Sequence, residues 1–171
     1  MLGTPWRDYR LLPDDNFVLR EFRRIVELRE SDALMAVLAE EKKLCKYLDI
    51  PVQHIDDKVL AAMNRRGSSD DIKRTIAKLR KRVPGIALRT SLITGFPGET
   101  EAAFKRLLSF VKETEFDHLG VFTYSHEEGT SAFAFEDDVP PALKQARRRQ
   151  IMGLQKKLVR LVAWVDARLL G

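Results

Sequence analysis

The chain has 171 residues, 44% of them apolar and 32% charged, with a formal net charge of +5. That is the make-up of an ordinary globular domain with a sizeable core, and it excludes a wholly disordered polypeptide. No apolar run approaches the ~20 residues of a membrane helix, and the start MLGTPWRDYR has no apolar centre of signal-peptide type, so a cytoplasmic protein without membrane contact is expected. Cys45 is the only cysteine, which rules out an internal disulfide and a metal cage built of this chain's thiolates.

The first 16 residues show no clear period, and Leu11-Leu12-Pro13-Asp14-Asp15 reads as a loop closing into an N-cap. Over residues 17–28 the apolar positions Phe17, Leu19, Phe22, Ile25 and Val26 fall near helical spacing. Leu34, Val37, Leu38 and Leu44 mark a second short helix, for which Ser31 is the N-cap. Residues 1–31 are accordingly expected to form a divergent helical segment.

Residues 47–53 alternate, with Leu48, Ile50 and Val52 on one side and Tyr47, Asp49, Pro51 and Gln53 on the other. Residues 86–93 repeat the pattern, opposing Ile86, Leu88, Thr90 and Leu92 to Ala87, Arg89, Ser91 and Ile93, so Asp49 and Arg89 share a face. Helices are expected between these strands over 57–65 and 70–82, the second capped by Ser68 or Ser69 and stopped by Pro84-Gly85. A further helix over 99–114 carries the stripe Ala103, Phe104, Leu107, Leu108, Val111, and a third strand follows over 118–124. Pro140-Pro141 opens a long helix with the stripe Ile151, Leu154, Leu158, Leu161, Val162, Val165, Leu169.

Strands that return after a helix are parallel, and parallel strands are normally apolar on both faces. Here one face is polar. Two architectures accommodate this: a barrel or half barrel whose polar faces line a lumen, and a doubly wound sheet with a buried Asp49 and Arg89 ion pair.

Between Lys144 and Arg168 stand eight basic residues, Lys144, Arg147, Arg148, Arg149, Lys156, Lys157, Arg160 and Arg168, against Asp166 alone. Such a helix suits an RNA or acidic protein surface, and equally a merely solvated face. The GFPGE turn at 95–99 has its own logic: glycines let backbone approach a ligand, Pro97 fixes the turn, and Glu99 sits favourably at a helix N-terminus. A turn of this composition also serves purely structural ends.

Taken together, YLDIPVQH, VLAAMNRRGS, RTSLITGFPGETE and FDHLGVFTYSHEEGT resemble the second half of the radical SAM methylthiotransferase barrel. The block at 116–130 and the Gln53-His54 pair look more like the ribosomal-protein aspartate methylthiotransferases (RimO-like) than the tRNA-modifying branch, and the likeness covers roughly residues 32–158. It implies an α/β fold: a partial, half TIM-like radical SAM barrel over 32–139, with extra helices before it and a basic amphipathic helix over 140–171. It also implies S-adenosylmethionine and a 4Fe-4S cluster held by a CxxxCxxC loop, whose ligands this chain does not carry. The implied reaction is reductive cleavage to a 5'-deoxyadenosyl radical, hydrogen abstraction from the β-carbon of a ribosomal-protein aspartate, and transfer of a sulfur-methyl group.

By position in that family, Gln53 and His54 are expected near the ribose, Gly95, Phe96, Pro97 and Gly98 near the adenine, and Arg89 and Ser91 in the lumen. For His54, capping of the following helix or a bond to a backbone carbonyl is the competing expectation. Tyr124, Ser125 and Glu127 take the substrate-mouth position. No residue is assigned a catalytic or metal-binding role. The chain is thus expected to be a fragment inactive by itself, and the alternative is a non-catalytic half-barrel module that binds RNA or protein through the basic helix. The open sheet edges of half a barrel invite self-association.

Overall fold

A computed structural model describes residues 32–65 and 67–169. The helix expected over 17–28, the loop before it and the Ser31 cap lie outside the described residues. The chain divides into two compact units, Met1–Cys45 and Lys46–Gly171. Within the first, helix α1 spans Asp32–Glu40 and buries Met35 and Leu38.

The second unit runs β1 (Tyr47–Asp49), α2 (Asp57–Ala62), α3 (Ser69–Arg82), β2 (Ala87–Thr94), α4 (Glu101–Thr114), β3 (His118–Thr123), a 3-10 turn (Ser131–Ala134) and α5 (Pro141–Leu169). The three strands form one parallel sheet in the order β1-β2-β3. Tyr47 pairs with Ala87 and Asp49 with Arg89 on one side of β2; Arg89 pairs with His118 and Thr94 with Thr123 on the other. This is the expected alternation of parallel strands and helices. No helix among the described residues is long and apolar enough to cross a membrane.

The elements start where their caps dictate. Asp56 caps α2 by accepting from the Lys58 and Val59 amides, and Thr100 caps α4 by accepting from Ala103. Ser68 and Asp71 form a reciprocal capping box on α3, so of the two serines expected as caps it is Ser68 that serves. Glu115 ends α4 in the left-handed conformation at φ 50°.

One face of the sheet is packed. Leu88, Thr90, Leu92 and Thr94 of β2 and Val121 of β3 are buried beneath helices, with Val59, Leu60, Ile76, Leu79, Phe104, Leu107, Phe110, Val111 and Ile151 supplying the other side of the core. Phe110 of α4 meets Phe116 edge-on at 5.6 Å, locking the helix end to the entry of β3. On the opposite face Arg89 is exposed and Phe122 is 59% accessible. A doubly wound sheet would bury both faces, so the partial barrel is the architecture.

The first strand is shorter than its alternation suggests. Pro51 has no N–H, and the ladder breaks there. Thr90 bridges the gap: its buried hydroxyl donates to the Ile50 carbonyl at 2.7 Å and accepts from the Val52 amide at 3.3 Å. Gln53 then rejoins β2, its N–H donating to Ser91 at 2.9 Å and its carbonyl accepting from Ile93 at 2.8 Å.

Candidate functional site

The open face of the sheet carries Asp49, Arg89, Ser91, Ile93 and Phe122. Asp49 and Arg89, level with each other on neighbouring strands, form an ion pair at 3.5 Å, with side chains 42% and 50% exposed. An ion pair this accessible adds at most ~1 kcal/mol to stability. It leaves charged donors and acceptors facing the lumen instead. Gly120 lies opposite Ser91 in register, and a Cβ placed on it would sit 3.8 Å from the Ser91 Oγ and 3.4 Å from the Phe122 ring. The missing side chain leaves the Ser91 hydroxyl and the Phe122 ring uncovered by a neighbour at this point of the sheet.

At the carboxyl end of β1 the chain turns sharply. Gln53 has φ 68°, and the His54 N–H donates back to the Val52 carbonyl at 2.9 Å, closing a three-residue turn. A non-glycine residue held in this region is strained, and such strain is concentrated at binding loops. Gln53 is half-buried there. His54, by contrast, is fully buried on the helix side, where its Nδ1 accepts from the Asp56 amide at 2.9 Å. The imidazole meets the entry to α2 by accepting from an amide, while the cap itself is Asp56.

Burial lowers the His54 pKa to about 4; the Asp56 charge raises it, and Arg106 and Arg147 push it further down. Its Nε2 has no hydrogen-bond partner among the described residues. Asp56 itself is pushed up by burial, but Arg106 and the Val59 amide outweigh that and hold its carboxyl below the ordinary value. Arg106 reaches it through both Nε, at 2.8 Å, and Nη2.

The GFPGE turn is organised from within. Gly95 (φ 74°) and Gly98 (φ 79°) adopt left-handed conformations, and the Glu99 carboxylate accepts from the Gly95 amide. Glu99 is 3% exposed; burial raises its pKa, which the Gly95 amide, Arg147 and the Phe96 amide partly offset. Phe96 does not offer a free ring. It is buried against Val59 and Ala103, with Tyr124 edge-on at 5.0 Å and Phe135 at 6.2 Å. Pro97 is buried as well, while Gly98 is exposed and donates its amide to Asp138 at 2.8 Å.

Beyond β3, Tyr124 donates to the Ala132 carbonyl at 3.3 Å and lies 3.1 Å from His126 Nδ1. Ser125 and Glu127 are exposed. The basic helix proves to be two surfaces. Lys144 is buried and pairs with Asp137 at 2.5 Å; Arg147 is 3% exposed, donates to the Glu99 carbonyl at 2.9 Å and lies 3.3 Å from the Glu99 carboxylate. Arg148 donates to the Val121 carbonyl at 2.9 Å. Arg149, Lys156 and Lys157 remain on the exposed side of α5.

Of the residues the sequence singles out, Arg89 and Ser91 lie on the open face of β2 and Gln53 at the turn beyond β1, whereas the sequence pattern misses the contacts of Thr90, Asp56, Arg106, Lys144 and Arg147. A threonine on an otherwise apolar strand face was the available signal for Thr90. For Lys144 and Arg147 there was none, since basic residues on a helix resemble a solvated face.

The residues present do not fit an iron-sulfur cluster. Three thiolates are needed, the chain has one cysteine, and Cys45 is exposed ahead of β1. Among the described residues no group of three histidine, cysteine, aspartate or glutamate side chains could hold a metal ion.

A family model described as the Radical SAM superfamily matches residues 20–111. Among curated proteins, a ribosomal protein uS12 methylthiotransferase RimO from Geotalea uraniireducens is 55% identical over 128 residues, covering 75% of this chain and 29% of the relative. Its counterpart from Syntrophotalea carbinolica is 47% identical over 152 residues, covering 82% of the chain and 33% of the relative. The chain therefore spans about a third of the length of the relatives it matches. Among solved structures, coproporphyrinogen III oxidase (HemN) from Escherichia coli, a radical SAM enzyme, superposes with a TM-score of 0.60 at 21% identity, over 82% of this chain and 36% of that one. That likeness concerns the fold.

Proposed function

This chain belongs to the radical SAM superfamily, and we propose that it is the cofactor-facing carboxyl half of a methylthiotransferase barrel acting on a ribosomal-protein aspartate. The observation that carries this reading is the open face of the sheet, where Asp49 and Arg89 pair in the solvent and Ser91 stands opposite Gly120. It stands in a stretch about half of whose residues are shared with the uS12 methylthiotransferases. In the whole protein S-adenosylmethionine would lie over this face and bring the sulfonium and adenosyl groups, while the electron for its cleavage would come from a cluster whose thiolates are not among these residues. Arg89 and Asp49 would hold the polar end of the cofactor, Ser91 would donate to it, and the strained Gln53 turn would face the ribose. Gly95, Phe96, Pro97 and Gly98 would act by fixing the turn beside the adenine, with the Phe96 ring as its buried anchor. His54 would position the β1 to α2 connection through the Asp56 amide.

The organisation accompanying this reading has a helical segment over 1–31, the half barrel over 32–139 and the basic helix over 140–171, which lends its first turns to the core. A cytoplasmic location and a ribosomal-protein substrate follow from the same reading. RNA contact would fall to Arg149, Lys156 and Lys157, and self-association to the outer edges of β1 and β3.

Calorimetric titration with S-adenosylhomocysteine is the direct test, because that ligand needs no iron. Binding that weakens roughly tenfold in Arg89→Ala, a loss of about 1.4 kcal/mol, supports the reading. No measurable binding by the unaltered chain, or binding indifferent to Arg89, overturns it. After anaerobic reconstitution this chain alone should form no 5'-deoxyadenosine.

A further inference from the structure

Between Tyr124 and Pro140 the sequence carries Glu127, Glu128, Glu136, Asp137 and Asp138 and no lysine or arginine. Asp137 is engaged by Lys144, and Asp138 by the Gly98 amide. Glu127, Glu128 and Glu136 are exposed. The same loop presents two large rings to solvent, Phe133 at 42% and Phe135 at 41% accessibility, and His126 stacks on Phe133 with centroids 4.6 Å apart. Exposed aromatic rings inside a charged rim mark a contact surface rather than a solvated loop.

The molecule itself displays what such a set of groups holds. The Lys144 ammonium lies 4.9 Å from the centre of the Tyr124 ring while donating to both oxygens of Asp137 at 2.5 and 2.7 Å. A ring face beside a carboxylate is a cage for a cation. In the same loop the exposed rings of Phe133 and Phe135 and the exposed carboxylates of Glu127, Glu128 and Glu136 supply the same two kinds of group. Burial, together with the charges of Asp137 and Glu127, raises the Tyr124 phenol above its ordinary value, which registers the negative potential of the loop.

We propose that the 124–138 loop is a docking surface for a lysine- or arginine-bearing peptide segment, whose cationic head lies on the Phe133 and Phe135 rings and pairs with Glu127, Glu128 and Glu136. Charge complementarity excludes a polyanion from this surface. Phe135 packs on Phe96, so a docked peptide sits beside the GFPGE turn. The assignment of that peptide as substrate rests on the function proposed above, whereas the binding itself requires no cofactor.

The test is fluorescence anisotropy of the full chain with a labelled peptide of alternating arginine and glycine at low salt, against the same peptide with glutamate for arginine. Binding of the arginine peptide alone is expected, weakened roughly tenfold in the triple variant Glu127→Gln, Glu128→Gln, Glu136→Gln and about fivefold in Phe133→Ala. All four side chains are exposed, and an unchanged melting temperature in the variants shows that folding is intact. Equal binding by the variants, binding of the glutamate peptide, or competition at these residues by polyuridine RNA overturns the proposal, as does absence of binding. Because no S-adenosylhomocysteine is present, that failure stays separate from a failure of the cofactor reading.

Discussion

Gly95 and Lys144 occupy space that admits no methyl group between them: a Cβ on Gly95 would overlap the Lys144 Cγ and come within 2.9 Å of its Cβ. The lysine stem crosses directly over the turn because its ammonium is drawn to Asp137 and the Tyr124 ring. Gly95→Ala combines that overlap with a left-handed φ of 74° and should cost about 2–4 kcal/mol in denaturant unfolding. The double variant with Lys144→Ala should recover the steric part, and a purely additive cycle would show that the two residues do not share this contact.

Thr90→Val keeps the shape of a buried side chain but removes the hydroxyl that satisfies Ile50 and Val52. With those backbone groups left unpaired, a loss of about 1–3 kcal/mol is expected. A stability within experimental error of the original would mean that water or a shifted backbone fills the role.

His54 is neutral in the fold because burial lowers its pKa from 6.5 to about 4. The unfolded chain therefore binds more protons than the native one between those values, and stability rises with pH across that window. As pH falls from 6.5 to 4, roughly 3 kcal/mol is lost through this group. His54→Asn should flatten that part of the profile measured by chemical denaturation, and an unaltered slope would assign the titration elsewhere.

Asp56→Ala removes the cap of α2 and the partner of Arg106 at once. Since the Arg106 side chain is 56% exposed and can return to water, the loss should stay near a helix cap's contribution, about 1–2 kcal/mol. A cost well beyond that range would show that the ion pair contributes more than its exposure suggests.

The alternating strand faces were legible because a period of two survives wherever one side meets a core, as Leu88 and Leu92 against Arg89 and Ser91 attest. Strand ends were less so: residues 47–53 alternate throughout, yet Pro51 limits regular pairing to Tyr47–Asp49. The helix over 99–114 shortened to Glu101–Thr114 once its cap at Thr100 was placed, and the helix over 57–65 starts at Asp57 as expected, behind its cap Asp56, but ends at Ala62, with Met63 as C-cap. Phe110 escaped the expected stripe although it is 2% exposed, since it packs at the helix end on Phe116. His54 and Gln53 are neighbours in sequence with similar polarity, and only the turn between them sends one inward to the helices. Arg147 was illegible for a different reason. Its partner Glu99 is 48 residues away in the chain, a separation that no local pattern reports.

Because Lys144, Arg147 and Arg148 fasten the opening turns of α5 to Thr94 of β2, to Glu99 and to Val121 of β3, those turns cannot lift without releasing the Gly95 to Glu99 loop. Amide hydrogens of Phe104 and Ile151 should then exchange with deuterium at one common opening free energy, while the far end of the helix, past Val159, exchanges faster and independently.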